Sequence, residues 1–232
     1  MPLRLPGPRK VPFIGVSEER HYFDPVPTTA SDRSTVELTL PDLRLALATD
    51  RGVFGRSRVD PGTKLLLLDG PEPRAGDRHL ADLGAGYGPI ALTLAARNPQ
   101  ATVWAVEVNE RARGLCQDNA DAAGLGNVEV VGSAGVPDGV VLDRIWSNPP
   151  IRIGKRQLQG LLLRWFERLG PAGTAHLVVQ KHLGSDSLQR WLTGQGWPTV
   201  RRASKAGYRL LDVGPRPPDD DRGGTGDGGS SR

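Results

Sequence analysis

One cysteine, one methionine and four histidines are spread over 232 residues. A single thiol, Cys116, excludes an internal disulfide and suits the reducing setting of a cytoplasmic protein. That thiol and the scattered histidines offer no ligand spacing, so no metal centre is expected. Long apolar runs are also missing: the longest aliphatic stretch is Leu65 to Leu68, against roughly 20 residues for a membrane span. The opening Met1-Pro2-Leu3-Arg4-Leu5-Pro6-Gly7-Pro8 is too proline-rich, and too short of an apolar centre, for a secretion signal.

What is present suffices for one domain core, since 38% of the residues are hydrophobic. The formal charge is +4 with a pI near 9.6. Such a balance suits a polyanionic partner and equally an ordinary solvated surface.

The most informative stretch is Asp82 to Ile90, DLGAGYGPI. The run His79 to Leu83 enters it as a buried strand would, and Pro89 to Leu94 leaves it with helical character. Gly84, Gly86 and Gly88 punctuate the crossing. Glycine permits positive φ and lets backbone approach a ligand with no Cβ in the way, so the unit reads as a nucleotide cradle; the alternative is a tight turn whose glycines serve packing alone. Dinucleotide sites space their glycines as Gly-x-Gly-x-x-Gly and use amides at the helix start. Here the pattern is Gly-x-Gly-x-Gly followed by Pro89, which fits the first helical position and donates nothing. A nucleoside without phosphates is favoured, and S-adenosylmethionine is one.

Around this centre the chain divides into an arm and hairpin over 1–48, a main domain over 49–213 and a tail over 214–232. Thr35 to Leu40 and Leu43 to Leu47 alternate around Pro41-Asp42, which predicts a hairpin with one buried face capping the domain. Asp60-Pro61-Gly62-Thr63 reads as a turn, with a helix or buried segment from Lys64. Thr102 to Val106 is a second strand ending at Glu107, a carboxylate 19 residues past Gly88. That is close to the spacing of an acid that bonds ribose hydroxyls; the alternative is a surface residue capping the next helix. Val128 to Val131 and Val141 to Trp146 are the next strands. Leu158, Leu161, Leu162, Trp165 and Leu169 form a helical core stripe, stopped by Gly170-Pro171-Ala172-Gly173. A strand from His176 to Gln180, a helix over Ser187 to Leu192 and an antiparallel pair, Thr199 to Arg202 with Tyr208 to Val213, complete the domain. His182 is read as a surface residue, and the tail has no core-forming residues and is expected to be disordered.

The strand ending at Trp146 runs into Ser147-Asn148-Pro149-Pro150. Two prolines cannot join a sheet ladder, so the strand stops there with a stiff backbone. In an open α/β sheet that end faces the ligand crevice, the rim that also carries the glycine loop. The Asn148 carbonyl oxygen and a neighbouring backbone C=O then give two acceptors at fixed separation, which match the two hydrogens of a planar exocyclic amine. Drawing those hydrogens out of plane frees the nitrogen lone pair to attack a sulfonium methyl, with orientation and fixed dipoles carrying the catalysis.

From about Thr49 to Val213 the chain resembles the small-domain class I methyltransferases, close to the RsmC-type enzymes that methylate guanine N2 in small-subunit ribosomal RNA. The matching stretches are TDRGVFGRSRVDPGT, DLGAGYGPI, AVEVNERA, SNPPIRIGK and GYRLL. The resemblance implies a Rossmann-like α/β fold, with a seven-stranded, mostly parallel sheet, an antiparallel final strand and a small N-terminal β-hairpin extension. It implies S-adenosylmethionine held by Thr63, Asp82, Gly84, Ala85, Gly86, Glu107, Val108 and Asn148. Asn148, Pro149 and Pro150 form the catalytic turn, and Phe54, Ile151, Arg152 and Lys155 meet the substrate. Three departures stand out. Ser133-Ala134 occupies the place of an acid that contacts adenine, Ile151 replaces a common aromatic and leaves base stacking to Phe54, and the chain is too short for the second, degenerate domain of the ribosomal enzymes.

The expected partner is RNA with a single-stranded or flipped base, and Arg51, Arg56, Arg58, Arg152, Lys155 and Arg156 are placed to meet its phosphates. Other substrates with an sp² nitrogen, a protein glutamine amide or adenine N6, fit the same motif. So does a non-catalytic protein that keeps the cofactor fold.

Overall fold

The computed structural model describes residues 30–217. The arm before residue 30 and the tail from 218 onward lie outside the described residues.

An N-terminal hairpin pairs β1 (Ser34–Thr39) with β2 (Arg44–Thr49) as a separate two-stranded sheet. Its alternation places Val36, Leu38, Leu45 and Leu47 on one face, and that face is buried in the same apolar cluster as Leu80, Leu92 and Leu115. The hairpin is therefore continuous with the main core. Asn119 locks it there: its Oδ1 accepts from Ala48 N at 2.7 Å, and its Nδ2 donates to Ala48 O and to Tyr87 O in the glycine loop.

Next come α1 (Pro61–Asp69), β3 (His79–Leu83), α2 (Pro89–Arg97), β4 (Thr102–Val106), α3 (Glu110–Ala122) and β5 (Val128–Val131). The second half holds β6 (Leu142–Ser147), α4 (Lys155–Phe166), β7 (Leu169–Gln180), α5 (Ser185–Gly194), β8 (Thr199–Lys205) and β9 (Tyr208–Val213). The main sheet has seven strands in the order β5-β4-β3-β6-β7-β9-β8. Strands β5 through β7 run parallel, and β9 is antiparallel to both β7 and β8. This is the fold class expected from the sequence.

Helices cover both faces. On one, Leu80, Val103 and Ala105 pack under α2 and α3; on the other, Ala81, Leu83 and Ile145 pack under α4 and α5. Trp165 and Phe166 are almost wholly buried there, and Phe166 meets Trp197 edge-on at 5.4 Å. Each such ring contributes about 2–3 kcal/mol of apolar burial. No helix among the described residues is long and apolar enough to cross a membrane.

The topology brings the two sequence motifs together. From β3 the chain steps outward to β4 and β5, then returns to lay β6 on the other side of β3. Ligands in open α/β sheets bind at such a switch point, beyond the carboxyl ends of the strands. The glycine loop leaves β3 there and the Asn-Pro-Pro turn leaves β6. Ser147 fastens the two ends, its hydroxyl donating to Leu83 O at 2.6 Å.

Three local expectations are corrected. Helix α1 begins at Pro61, because Asp60 caps it by accepting from Gly62 N at 2.8 Å and Thr63 N at 3.1 Å; a helix start, not a free turn, occupies that segment. Leu169 to Gly173 do not terminate α4, which ends at Phe166; they open β7, with Leu142 facing Leu169 and a register shift before Arg144 faces Thr174. Helix α5 starts at Ser185, two residues early, after Gly184 turns the chain with φ 95°.

Candidate active site

The glycine loop divides its labour. Gly84, Gly86 and Gly88 all have positive φ, at 76°, 57° and 97°. A Cβ on Gly86 would meet nothing within 4 Å, and one on Gly84 would meet only Pro150 Cδ at 3.7 Å. These two turn bare backbone toward the cleft and toward the proline turn of β6. Gly88 is different: a Cβ there would lie 2.5 Å from Leu92 Cδ1 and 2.8 Å from Cys116 Sγ. The packing reading of the glycines holds for Gly88 and fails for Gly84 and Gly86, where a Cβ would meet open space or only ordinary contact.

Backbone bonds fix the loop. Gly84 N and Ala85 N both donate to Val106 O, at 2.9 and 3.1 Å. Glu107 follows on, buried to 7% exposure, with Oε2 accepting from Gly86 N and Oε1 from Asn109 N, each at 2.9 Å. One carboxylate thus ties the loop to Asn109, the residue that caps α3; the reading of Glu107 as a surface cap is corrected, since the side chain is buried and the cap is Asn109. Val108 beside it is 43% exposed at the rim.

Asp82 sits elsewhere than a ligand-lining position. Its side chain is fully buried beneath the loop, and Oδ2 accepts from Ala91 N at 3.0 Å. Burial pushes its carboxyl up to about 8, against the Ala91 bond, and the negative charge of Glu107 adds to the rise. Two buried polar atoms near the loop, Asp82 Oδ1 and Asn109 Nδ2, have no hydrogen-bond partner.

Facing the loop across the cleft are Phe54, Asp60, Thr63 and Asn148. Phe54 is 48% exposed, and Tyr87 holds its segment by donating a long bond to Gly55 O at 3.4 Å. Asn148 is half-buried, and its Nδ2 donates to Asp60 Oδ1 at 2.8 Å and to Thr63 Oγ1 at 3.0 Å. A carboxylate only accepts, so the amide nitrogen must lie on that side. Beyond it, Ile151 N donates to Pro149 O at 2.8 Å, closing a tight turn around Pro150 at φ −73° and ψ 75°. The Pro149 carbonyl keeps a second lone pair.

The structure therefore brings Phe54, Thr63, Gly84, Ala85, Gly86 and Asn148 into one cleft. Ile151 and Lys155 line a neighbouring groove with Leu158, Val179 and Leu183 instead. The Arg152 side chain lies outside the described residues. Ser133 and Ala134 are exposed in the loop after β5. His182 is exposed as expected. Of the basic residues, Arg51 and Arg56 both pair with Asp32, while Arg58, Lys155 and Arg156 are exposed. Reading the sequence missed Asp60, Ser147 and Tyr208; the Asp-Pro-Gly-Thr signal of a capped helix start was available for the first.

Protein YbxB of Bacillus subtilis, itself uncharacterized, is 34% identical over 170 residues, covering 72% of this chain and 84% of its own. Ribosomal RNA small subunit methyltransferase C of Shewanella halifaxensis is 30% identical over 155 residues, which are 65% of this chain and 44% of that one. Among solved structures, the 16S rRNA N2 G1207 methyltransferase RsmC of T. thermophilus, in complex with AdoMet and guanosine, superposes with a TM-score of 0.70 at 25% identity. It matches 82% of this chain and 52% of its own, so the chain spans about half the length of the ribosomal enzymes it is similar to. The family model for the methyltransferase small domain matches residues 44–211, from the second hairpin strand to the last strand of the sheet. The chain belongs to the methyltransferase small-domain family.

Proposed function

We propose that this chain transfers a methyl group from S-adenosylmethionine to an exocyclic amine of RNA, guanine N2 of ribosomal RNA. The observation that carries the reading is the Asn148 amide, tethered by its nitrogen and set beside the bare backbone of Gly84 and Gly86. The cleft suits the cofactor: bare backbone at Gly84 and Gly86, a carboxylate at Glu107 of the kind that meets ribose hydroxyls, and no diphosphate donor at Pro89. Gly84, Ala85, Gly86, Glu107 and Thr63 would hold it, with Val108 at the rim. When bound, it supplies an electrophilic methyl group on a sulfonium.

The chain's own residues do the rest. The Asn148 Oδ1 and the spare lone pair of Pro149 O accept the two hydrogens of the amine, which holds its nitrogen in line and localises the lone pair. Once the new N–C bond has formed, one of those hydrogens leaves as a proton to water, since neither carbonyl can keep it. Holding the reactants in register removes most of the entropic barrier, and the fixed dipoles stabilise positive charge growing on the nitrogen. Phe54 offers a ring face to the base. Arg58, Lys155 and Arg156 meet phosphates without reading sequence, so RNA affinity falls as salt rises. The RNA reading is supported by the ribosomal enzymes to which the chain is similar.

The test is incubation with S-adenosylmethionine labelled in its methyl group, followed by separation of ribosomal RNA, transfer RNA and protein. Label entering ribosomal RNA is the expected result. Label entering protein would replace RNA by a glutamine amide, and no label in any fraction would leave only a cofactor-fold binding protein.

A further inference from the structure

An asparagine amide has two nearly isosteric ends, and a half-turn about its last bond would exchange the acceptor for a donor. A methyl acceptor that brings N–H groups needs the oxygen end. What sets that choice lies far away in sequence.

Asp60 Oδ1 is the anchor. It accepts from Gly62 N, Thr63 N and Asn148 Nδ2, the last across 88 positions of chain. The two backbone bonds pin the carboxylate in the capping position of α1, so its third bond has a fixed direction. Thr63 Oγ1 adds a second acceptor 3.0 Å from the same nitrogen, on a side chain that is 4% exposed. A reversed amide would set its oxygen against the Asp60 carboxylate and lose that tether; the Thr63 hydroxyl can accept or donate, so it steadies whichever end faces it, and Asp60 decides which end that is. Tyr208, at the start of β9, lies behind this group: its hydroxyl is 3.5 Å from Asp60 Oδ2 and accepts from Gln180 Nε2 at 3.2 Å. The Tyr208 ring packs so closely that a Cβ on Gly62 would be 2.5 Å from it. Three sequence stretches, VDPGT, SNPP and GYRLL, thus converge on the Asp60 carboxylate.

We infer that Asp60, seconded by Thr63, is a positioning residue that fixes the acceptor end of Asn148 toward the substrate, so that the site takes amine nucleophiles. The inference rests on the role given to Asn148 above. Asp60 does this through Asn148 while also capping the helix, and the experiment must separate the two duties.

Asp60→Ser keeps a capping oxygen but is one bond too short to reach Asn148, Asp60→Asn keeps an acceptor of full reach, and Thr63→Val removes the second tether while leaving the backbone cap intact. Single-turnover methyl transfer in Asp60→Ser is expected to slow by roughly 10- to 100-fold, as for loss of a hydrogen bond to a charged group. S-adenosylmethionine affinity should stay within about twofold, Asp60→Asn should recover to within about threefold of the parent, and Thr63→Val should slow by roughly three- to tenfold. A folded Asp60→Ser with parental turnover overturns the inference, as does Asp60→Asn falling equally far. Should Asp60→Ser not fold, fast exchange of the Asn148 side-chain amide in the parent overturns it instead. Hydrogen exchange of the Asn148 side-chain amide, assigned by its loss in Asn148→Ala, gives a readout independent of activity. It should be slow in the parent and in Asp60→Asn, and faster in Thr63→Val. Equal exchange in all of them refutes the tether even if the chain methylates RNA; slow exchange with no methyl transfer refutes the proposed reaction and leaves the tether standing.

Discussion

Asn148→Ala is the sharpest perturbation of the proposed chemistry. The alanine removes Oδ1, one of the two acceptors for the amine, and leaves the Pro149 carbonyl in place. Losing one preorganised partner of developing charge costs roughly 2.7–4 kcal/mol, or 10²- to 10³-fold in kcat. The fold should survive. Asp60 Oδ1 keeps its bonds from Gly62 N and Thr63 N, so α1 remains capped, and the two lost bonds, to Asp60 Oδ1 and Thr63 Oγ1, together cost roughly 2–4 kcal/mol. Gly84, Gly86 and Glu107 are untouched, so the cofactor should bind within a few-fold of the parent. The assay pairs calorimetric titration of S-adenosylmethionine with single-turnover methyl transfer to RNA. Turnover within about fivefold of the parent would refute the clamp, since no loss of an oriented acceptor is that small.

The two kinds of glycine should respond oppositely. Gly88→Ala places a Cβ against Leu92 and Cys116 at φ 97°, and should destabilise by roughly 2–5 kcal/mol in a denaturant titration. Gly86→Ala meets open space at φ 57°, so it should lose only about 1 kcal/mol of stability while weakening cofactor binding. Glu107→Gln keeps the size but loses a charged acceptor for Gly86 N, and S-adenosylmethionine affinity measured by calorimetry should fall by roughly 10-fold or more. Asp82 makes a prediction with pH. Its native carboxyl keeps its proton to about 8 whereas the unfolded one loses it near 3.8, so the native state binds more protons in between and stability falls as pH rises through that window. His176 acts in the opposite sense below 6.5, because burial holds its imidazole neutral. The comparison is therefore Asp82→Asn minus parent: the variant should gain relative stability with rising pH, by up to about 1.4 kcal/mol per unit.

Strands β3, β4 and β5 were legible because each is a short apolar run closed by a turn signal, and the glycine loop because its residues do local work. Period-two alternation also held the clue to Asp82: it shares a face with Leu80, and that face is covered by α2. A carboxyl group there holds the first turn of α2 from beneath the loop. The start of β7 was hidden because Gly170-Pro171-Ala172-Gly173 carries the residues of a stop, yet the chain absorbs them as a register shift and stays in the sheet. Asp60 and Tyr208 were invisible as site residues for another reason. Their partners are 88 and 148 positions away, and only the closing of the sheet brings Asn148 to Asp60 and Tyr208 to the far side of the same carboxylate.

The central claim is that this cleft methylates a planar nitrogen of RNA. Its most direct test is mass spectrometry of nucleosides from ribosomal RNA incubated with the purified chain and S-adenosylmethionine. The account predicts a new N2-methylguanosine that is absent when Asn148→Ala is used. A methyl group on a ribose or on a ring carbon, or methylation undiminished in Asn148→Ala, would contradict it.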